Sequence, residues 1–307
     1  MINNLLNKAF LKDNSERISN FETMYLHVTK QCNLNCSYCY YNAGEKEDFE
    51  LSSSEIKKML NELSTLKPKR IVFTGGEPLL REDIFELANC IKSLDKKIIL
   101  GISTNGTLIN EYIAYKLVNA FSEIRISIDG PQEVNDSLRG LESFNKAMKA
   151  FKFIIEAEGS PSAFITASTM NLSHLKDFMN NLLSIGVKKI HVSPLKQIGR
   201  ATDKNLSCDL TELRKIVEQF YFEKFGLKMK HQPSESLNCG VGKFISISSD
   251  GSVYPCHVLS IPEFCLGNIK NERLSNIINN SLIIYSLRNS KFNEISNCNI
   301  CLSNLPK

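Results

Sequence analysis

Short apolar, β-rich runs alternate with longer runs of helical periodicity from Phe21 to Ser193. The predicted strands are TMYLHVT (23–29), RIVFT (70–74), KIILGIS (97–103), EIRISID (123–129), AFITAST (163–169) and KKIHVSP (188–194). The helix-like stretches between them are SSEIKKMLNELSTL, REDIFELANCIKSL, NEYIAYKLVNAF, LESFNKAMKAFKFIIEAEG and LSHLKDFMNNLLSIG. Six β-then-α units indicate a parallel sheet, because parallel strands need crossover connections. We therefore expect an α/β fold whose functional residues lie in the loops that follow the strands.

The composition sets the size of this fold and excludes some partners. With 307 residues, 42% of them hydrophobic, the chain is long enough for one large α/β domain and a smaller one. The net charge of +4 comes from lysines that alternate with acids along the chain, so we expect no nucleic-acid partner. No apolar run approaches the length of a membrane helix and the N-terminus carries no signal-peptide pattern. The sequence predicts a cytoplasmic protein with no membrane partner.

The alternation of strands and helices ends after the sixth unit. A polar helical stretch over about 209–230 is predicted to connect the main domain to a different C-terminal region. That region contains the hairpin signal KFISISSDGSVYPC, with Asp250-Gly251 at the turn, and a helix-like RLSNIINNSLIIYSLRN. The predicted organisation is an N-terminal extension (1–20), a β/α domain (21–200), a helical connector (201–234) and a small cysteine-bearing domain (235–307).

Ten cysteines are unusual for a chain in a reducing compartment and indicate metal or cluster ligation. They form an early group of three and a late group of five: Cys32, Cys36 and Cys39, then Cys239, Cys256, Cys265, Cys298 and Cys301. Two others stand apart. We expect Cys90 to be a small core residue and Cys208 to be incidental.

The early group has the spacing C-x3-C-x2-C on a loop after the first predicted strand. Structural zinc needs four ligands, usually supplied by paired C-x2-C motifs, and no second pair lies nearby. A four-iron cluster held by three cysteines would leave one iron open for another ligand. The spacing favours iron over zinc and leaves both possible.

The same cysteines, with Tyr38 before the third of them and GGEP after the second strand, resemble the radical S-adenosylmethionine (SAM) superfamily. The resemblance covers roughly residues 21–200. It implies a partial (β/α)6 TIM barrel and a 4Fe–4S cluster on Cys32, Cys36 and Cys39. It also implies that SAM binds the open iron and is cleaved to a 5′-deoxyadenosyl radical, which abstracts a substrate hydrogen.

The resemblance implies a set of SAM-binding residues in the loops after the strands. The glycines of GGEP allow close backbone approach, and Glu77 is suited to accept hydrogen bonds from the methionyl ammonium. Asn171 either faces this pocket or caps the next helix. The full set of expected cofactor-binding residues is Tyr38, Gly75, Gly76, Glu77, Pro78, Ser103, Asn105, Ser127, Asp129, Arg139 and Leu195.

The late cysteines resemble the auxiliary-cluster domains called SPASM and twitch, because Cys239, Gly251 and Cys256 fit C-x9–15-G-x4-C and Cys298-x2-Cys301 fits the later pair. A hairpin with CxxC is also typical of a zinc ribbon, which stays open. The full SPASM pattern has seven cysteines and two clusters, whereas this sequence ends six residues after Cys301. We therefore expect one auxiliary 4Fe–4S cluster, the twitch form, on Cys239, Cys256, Cys298 and Cys301. Cys265 either replaces one of these four or is a buried thiol, and the buried thiol is favoured.

Three functions are consistent with these features. The stretches ISIDGPxxxNDxLRGxxSF and PLKQIGRA resemble enzymes that modify ribosomally made peptides, which implies a precursor peptide as substrate, with or without a separate recognition protein. Such an enzyme also needs a reductant such as flavodoxin or ferredoxin. The alternatives are a small-molecule dehydrogenase or epimerase acting on a sugar, aminocyclitol or tetrapyrrole, and a non-enzymatic iron–sulfur or zinc protein. The sequence identifies no catalytic acid or base.

Overall fold

The computed structural model describes residues 22–202, 204–227 and 244–284. Within these residues the chain forms two compact units. The first unit contains residues 22–32, 45–102 and 244–284, and the second contains 33–44, 103–202 and 204–227.

The described residues form nine strands and nine α-helices. The strands are β1 (Thr23–Thr29), β2 (Arg70–Gly75), β3 (Ile99–Thr104), β4 (Glu123–Ser127), β5 (Ser162–Ala167), β6 (Lys189–Pro194), β7 (Phe244–Ile247), β8 (Ser252–Tyr254) and β9 (Gly267–Asn268). The helices are α1 (Ser53–Leu60), α2 (Leu63–Leu66), α3 (Ile84–Leu94), α4 (Glu111–Ala120), α5 (Gln132–Arg139), α6 (Ser143–Glu156), α7 (Leu175–Ser184), α8 (Leu210–Phe225) and α9 (Leu274–Asn279).

The first unit is built on a mainly parallel sheet. β1 pairs in parallel with β2, which pairs in parallel with β3, and on its other side β1 pairs in parallel with β7. β8 and β9 continue the sheet in antiparallel fashion. Buried side chains such as Met24, Leu26 and Phe73 fill the core on adjoining strands, as expected for strands covered on both faces.

The predicted hairpin at Asp250-Gly251 is confirmed, and it belongs to this sheet. β7 and β8 are antiparallel, and the Asp250 side chain accepts a hydrogen bond from the Ser252 N–H at 3.0 Å. Gly251 has a φ of +91°, a conformation that favours glycine. Because β7 pairs with β1, the hairpin extends the sheet of the first unit.

In the second unit β4, β5 and β6 are parallel, with Ser127 opposite Phe164 and Ala163 opposite Ile190. Helix α6 buries Ala147, Phe151 and Ile154. The predicted parallel α/β architecture is therefore present in both units. No helix among the described residues is long and apolar enough to cross a membrane.

The six strands predicted from Phe21 to Ser193 are all present, with ends within two residues of those predicted. Three predictions for helices need correction. Helix α5 was not predicted, because QEVNDSLR has no apolar periodicity and buries Asn135 and Arg139 beside Leu138. The first predicted helix is interrupted at Asn61 and resumes as α2, and the predicted RLSNIINNSLIIYSLRN is interrupted after α9 by a cap at Asn280, with its residues 285–289 outside the described ones. The predicted extension at 1–20 and the boundary at 235 lie outside the described residues.

Candidate functional site

In the first unit, the GGEP turn after β2 contacts the residues just before Cys32. The Gly76 N–H donates to the Thr29 carbonyl and the Glu77 N–H donates to the Gln31 carbonyl, both at 2.8 Å. A Cβ atom at Gly76 would lie 2.1 Å from the Gln31 carbonyl oxygen, and one at Gly75 would lie 2.3 Å from that of Thr29. The two glycines therefore allow two backbone segments to approach closely, and the segment that they approach leads to the first cysteine.

Glu77 follows the two glycines and is fully buried. Its carboxylate accepts a hydrogen bond from the Leu79 N–H at 3.1 Å, within a 3-10 turn (Pro78–Leu80) that begins at the buried Pro78. A buried carboxylate is stabilised by N–H or cationic partners. Glu77 is therefore chemically suited to the ammonium partner that the sequence predicts.

Glu50 holds the same end of β1 through a second set of contacts, which the sequence did not predict. Its carboxylate accepts from the Lys30 N–H at 2.6 Å and from the Thr29 hydroxyl at 2.9 Å. The Lys30 ammonium in turn pairs with Glu47 at 2.7 Å. The acidic run after the cysteine motif, GEKEDFE, is the only sequence signal for this contact.

In the second unit, residues 33–44 form the loop that carries Cys36, Tyr38 and Cys39, called here the cysteine loop. Asp129, fully buried after β4, binds this loop through a hydrogen bond from the Tyr38 hydroxyl. Asp129 also accepts from Arg139 Nε at 2.6 Å and Nη2 at 3.2 Å, and from the Thr166 N–H at 2.9 Å. Both carboxylate oxygens therefore have donors from the protein itself.

Asp129 and Arg139 are both predicted to bind SAM, and in the structure they also bind each other. The Arg139 guanidinium carbon also lies 5.5 Å from the centre of the Tyr38 ring, close enough for a cation–π contact. Their observed effect is to fix Tyr38, the residue between Cys36 and Cys39.

Burial is the largest single influence on the pKa values of Arg139, Tyr38 and Cys36. Burial lowers the pKa of Arg139, but the negative charge of Asp129 and its neighbours outweighs burial and raises that pKa above its usual value. Burial raises the pKa of Tyr38 well above its usual value, so the hydroxyl stays protonated and donates to Asp129. Burial also raises the pKa of the Cys36 thiol, although the charge of Arg139 acts in the opposite direction.

Asn171 does not have the helix-capping role that was one of its two predicted roles. Its side-chain NH2 donates to the Asp129 carbonyl at 2.7 Å and to the Thr166 carbonyl at 2.8 Å, and its oxygen accepts from the Ser168 N–H at 2.8 Å. It makes no side-chain cap of the following helical turn. The buried amide instead links the ends of β4 and β5.

The other predicted cofactor residues in this unit lie at the ends of their strands. Asn105 donates to the Asn33 side chain at 2.9 Å and accepts from the Thr107 N–H at 2.9 Å, which joins the loop after β3 to the start of the cysteine loop. Ser103 and Ser127 are half-buried on β3 and β4. Leu195 is buried directly after β6, where its N–H donates to Ala167.

The sequence also did not predict how the chain after β6 holds the cysteine loop. Arg200 Nε donates to the Cys36 carbonyl at 2.8 Å and Nη1 donates to the Ala43 carbonyl at 2.7 Å. The Lys204 ammonium donates to the Ser37 carbonyl at 2.7 Å. The only signal was the GRA triplet in PLKQIGRA, whose role is not apparent from local sequence.

Of the predicted auxiliary ligands, only Cys256 lies among the described residues, because Cys239, Cys298 and Cys301 fall outside them. Cys256 is buried just after β8, with its sulfur 3.8 Å from Nδ1 of His257. The prediction of a buried thiol at Cys265 is wrong. A short 3-10 turn buries the neighbouring Phe264 and leaves Cys265 exposed.

Of the two isolated cysteines, Cys90 differs from the prediction of a core residue. Cys90 is half-buried, whereas Cys208 is buried with its sulfur 3.7 Å from the Ala167 carbonyl.

Across the described parts of the chain, no three His, Cys, Asp or Glu side chains come close enough to hold a single metal ion. A four-iron cluster does not need three side chains around one metal ion, because each cysteine binds a different iron. The soft thiol donors of the cysteine loop fit an iron–sulfur cluster in their chemistry.

Parallel β/α units and the soft thiols of a cysteine loop held by other parts of its unit are typical of a cluster-binding α/β protein. The chain matches the family described as Radical SAM superfamily over residues 26–193 and the SPASM iron–sulfur cluster-binding domain over residues 239–302. It belongs to the radical SAM superfamily. It therefore uses a 4Fe–4S cluster and SAM, and its SPASM domain binds auxiliary iron–sulfur.

Three relatives illustrate the breadth of the family. An uncharacterized protein of Methanocaldococcus jannaschii is 31% identical over 83% of this chain and 91% of its own length. The AdoMet-dependent heme synthase of Oleidesulfovibrio alaskensis is 29% identical over 81% of this chain and 72% of its own. The mycofactocin maturase MftC of Mycolicibacterium smegmatis is 26% identical over 80% of this chain and 66% of its own.

A solved structure confirms the fold. Streptococcus suis SuiB bound to S-adenosylmethionine has a TM-score of 0.73 at 16% identity, covering 88% of this chain and 68% of SuiB. At this identity the likeness applies to the fold alone. The chain thus has the radical SAM partial barrel with a C-terminal SPASM domain, as predicted.

Proposed function

We propose that this radical SAM enzyme modifies a ribosomally synthesised peptide by cross-linking, thioether formation or dehydrogenation, with its first cluster on Cys32, Cys36 and Cys39. When bound, the cluster and SAM supply one electron that cleaves the cofactor and a 5′-deoxyadenosyl radical that takes one substrate hydrogen. The observation that carries the proposal is the cysteine loop, whose backbone carbonyls and Tyr38 are fixed by other parts of the chain. A reductant such as flavodoxin or ferredoxin would supply the electron.

Each predicted cofactor residue then has a proposed task. Glu77 would accept hydrogen bonds from the methionyl ammonium, and Gly75 and Gly76 would fix the backbone beside Cys32. Asp129 would reach the ribose or carboxylate of SAM and Arg139 would pair with its carboxylate, and both would also orient Tyr38. The half-buried strand-end residues Ser103, Asn105 and Ser127, and the buried Leu195, would contact the rest of the cofactor.

We propose one auxiliary 4Fe–4S cluster, on Cys239, Cys256, Cys298 and Cys301, within a small domain at 235–307. The barrel would occupy 21–200 and the connector 201–234, with a short extension at 1–20. A cluster with four cysteine ligands leaves no iron for substrate, so its task would be to accept an electron from the substrate. The net reaction would then be an oxidation.

The choice of a peptide substrate is supported by sequence and by the known relatives. The ISIDGPxxxNDxLRGxxSF and PLKQIGRA stretches resemble those of peptide-modifying enzymes. MftC is named as a maturase, and SuiB has been crystallised bound to its precursor peptide SuiA, in a structure of TM-score 0.75.

A small-molecule substrate is the second candidate. It is favoured by the likeness to the AdoMet-dependent heme synthase, which is 29% identical over 81% of this chain. A tetrapyrrole would be the first small molecule to test.

The experiment is to reconstitute the protein anaerobically, reduce it, and incubate it with SAM and either a synthetic peptide encoded beside the gene or a tetrapyrrole. Release of 5′-deoxyadenosine coupled to a mass change in the peptide is expected. A mass change confined to the tetrapyrrole would favour the second candidate. Absence of 5′-deoxyadenosine under all conditions would point to a non-enzymatic iron–sulfur protein, and a Cys36→Ala variant provides the background.

A further inference from the structure

Arg200 and Lys204 lie after β6, about 160 residues from the cysteine loop in sequence, yet their hydrogen bonds converge on that loop. Together the two side chains bind the carbonyls of Cys36, Ser37 and Ala43. The Arg200 N–H adds a fourth bond, to the Cys39 carbonyl at 3.0 Å. Both cysteines of the loop thus have their carbonyls bound by one arginine.

Other backbone hydrogen bonds also act on the loop. Its internal bonds, from the Cys39 N–H to Cys36 and from the Asn42 N–H to Cys39, are long at 3.3 Å. One shorter bond, from the Ser37 N–H to the Leu138 carbonyl at 2.8 Å, joins it to the end of α5. Hydrogen bonds to the carbonyls of Cys36 and Cys39 restrict the position of the backbone at these residues. Because the sulfurs extend from this backbone, their positions are restricted as well.

Gly199 is what allows Arg200 to reach the loop. Its φ of +61° is a conformation that favours glycine, and a Cβ atom there would lie 2.4 Å from the Cys39 carbonyl oxygen. The backbone of residues 199 and 200 is therefore packed directly against the loop. Backbone packing and side-chain hydrogen bonds are two independent observations that point to the same contact.

The charge of Arg200 is also placed where a cluster would benefit from it. Among the described residues, the hydrogen bonds of its half-buried guanidinium go to carbonyl oxygens, which do not cancel the charge as a carboxylate would. Positive charge near an iron–sulfur cluster stabilises its reduced, more negative form. Lys204 is exposed, so solvent screens its charge more strongly.

We propose that Arg200 is a positioning residue for the first cluster: it holds Cys36 and Cys39 in their ligating arrangement, and its charge makes the cluster easier to reduce. This inference rests on the proposed function, since it takes Cys36 and Cys39 to be cluster ligands. Arg200 acts through the loop and is not itself a ligand.

The test compares Arg200→Met, Arg200→Lys and Lys204→Met with the full-length parent, each reconstituted anaerobically. Arg214→Met is the matched control, because Arg214 is exposed on α8. Two properties are measured: the rate at which an iron chelator removes iron, and the midpoint potential of the cluster whose EPR signal changes when SAM is added. Circular dichroism and the melting temperature show whether each variant is folded.

Arg200→Met should lose first-cluster iron about tenfold faster or more, the usual effect of removing a residue that orients metal ligands. Its midpoint potential should fall below that of the parent. Arg200→Lys keeps the charge but cannot donate to the Cys36 and Ala43 carbonyls at the same time, as the guanidinium does. The midpoint potential of its first cluster should therefore stay near the parent value, while its loss of iron should be faster than in the parent. Lys204→Met should show a smaller acceleration, and Arg214→Met should match the parent.

Parent-like iron loss and potential in a folded Arg200→Met variant would overturn the inference while leaving the proposed function intact. If Arg200→Met does not fold, Arg200→Lys decides, because an iron-loss rate equal to that of the parent contradicts the positioning role. A parent protein that assembles no SAM-responsive cluster would instead refute the proposed function, and the inference with it.

Discussion

Asp129 connects three parts of the second unit through its carboxylate and a fourth through its backbone carbonyl. It binds Tyr38 in the cysteine loop, Arg139 at the end of α5 and the Thr166 N–H on β5, and its own carbonyl accepts from Asn171. The Arg139 partner is itself largely buried, so this ion pair is shielded from solvent. Interactions of this kind are costly to break, because one charge is left buried without its partner.

Asp129→Asn should therefore lower the free energy of unfolding by about 3–5 kcal/mol, as expected when one member of a buried pair is removed. Urea unfolding measures the change. Glu123→Gln is the control, because Glu123 also pairs with an arginine, Arg125, but is a quarter exposed. That change should cost about 1 kcal/mol or less. Equal losses in the two variants would contradict a special role for Asp129.

His27 gives the first unit a predictable response to acid. It is buried on β1, and burial, together with the nearby His257, lowers its pKa from 6.5 to about 3. Below pH 6.5 the unfolded chain takes up a proton that the folded chain does not, so stability falls as the pH drops towards 3. At pH 5 the loss from this residue should be about 2 kcal/mol.

Replacing His27 with Phe should remove this contribution. We expect the difference in unfolding free energy between pH 7 and pH 5 to be about 2 kcal/mol smaller in His27→Phe than in the parent. His174→Gln is the matched control, because His174 is exposed, and it should keep the pH response of the parent. An unchanged response in His27→Phe would show that His27 is not the source of the effect.

Among the elements, the exit of β2 is packed directly against the residues at the end of β1. Gly76→Ala would place a Cβ atom 2.1 Å from the Gln31 carbonyl oxygen, so the backbone before Cys32 must move. We expect a loss of about 1–3 kcal/mol in stability and less iron per chain after reconstitution. Gly44→Ala should change neither property, because a Cβ atom there meets no atom within 4 Å. Melting temperature and iron content measure both effects.

The sequence predicted the elements well where burial and periodicity coincide. β1 was predicted with its observed bounds, because its side chains are almost all buried and both neighbours are parallel strands. Helix α5 was missed because its buried face contains Asn135 and Arg139, which bind Asp129 and Ser143 rather than apolar neighbours. Polar burial of this kind has no periodic signal.

The candidate site was predictable to the level of motifs but not of contacts. The cysteines, GGEP and Asp129 were identified as individual residues, whereas their partners lie far away in the chain. The bond from Arg200 to Cys36 spans 164 residues, and that from Asn171 to Asp129 spans 42. Only folding brings such distant pairs together. Asp129 and Arg139 are 10 residues apart, but Arg139 lies on α5, the helix that was not predicted.

At the scale of the whole molecule, the chain places its cysteines in two groups with different predicted chemistry. The early group has three cysteines, so one iron is left for SAM, whereas four late cysteines would fill every iron of a second cube. If both assignments hold, the reconstituted parent should contain about eight irons per chain, at four per cube.

Replacing Cys32, Cys36 and Cys39 together with Ala should leave about four irons and abolish 5′-deoxyadenosine release. Replacing the four late cysteines instead should leave about four irons and preserve SAM cleavage, because the first cluster does not depend on them for ligands.

Cys265→Ser should keep the full iron content, since the exposed Cys265 is not among the proposed ligands. About twelve irons in the parent, with a loss on changing Cys265, would mean that the SPASM domain holds two clusters and that Cys265 is a ligand. Iron content therefore decides the number of electron acceptors available to the substrate.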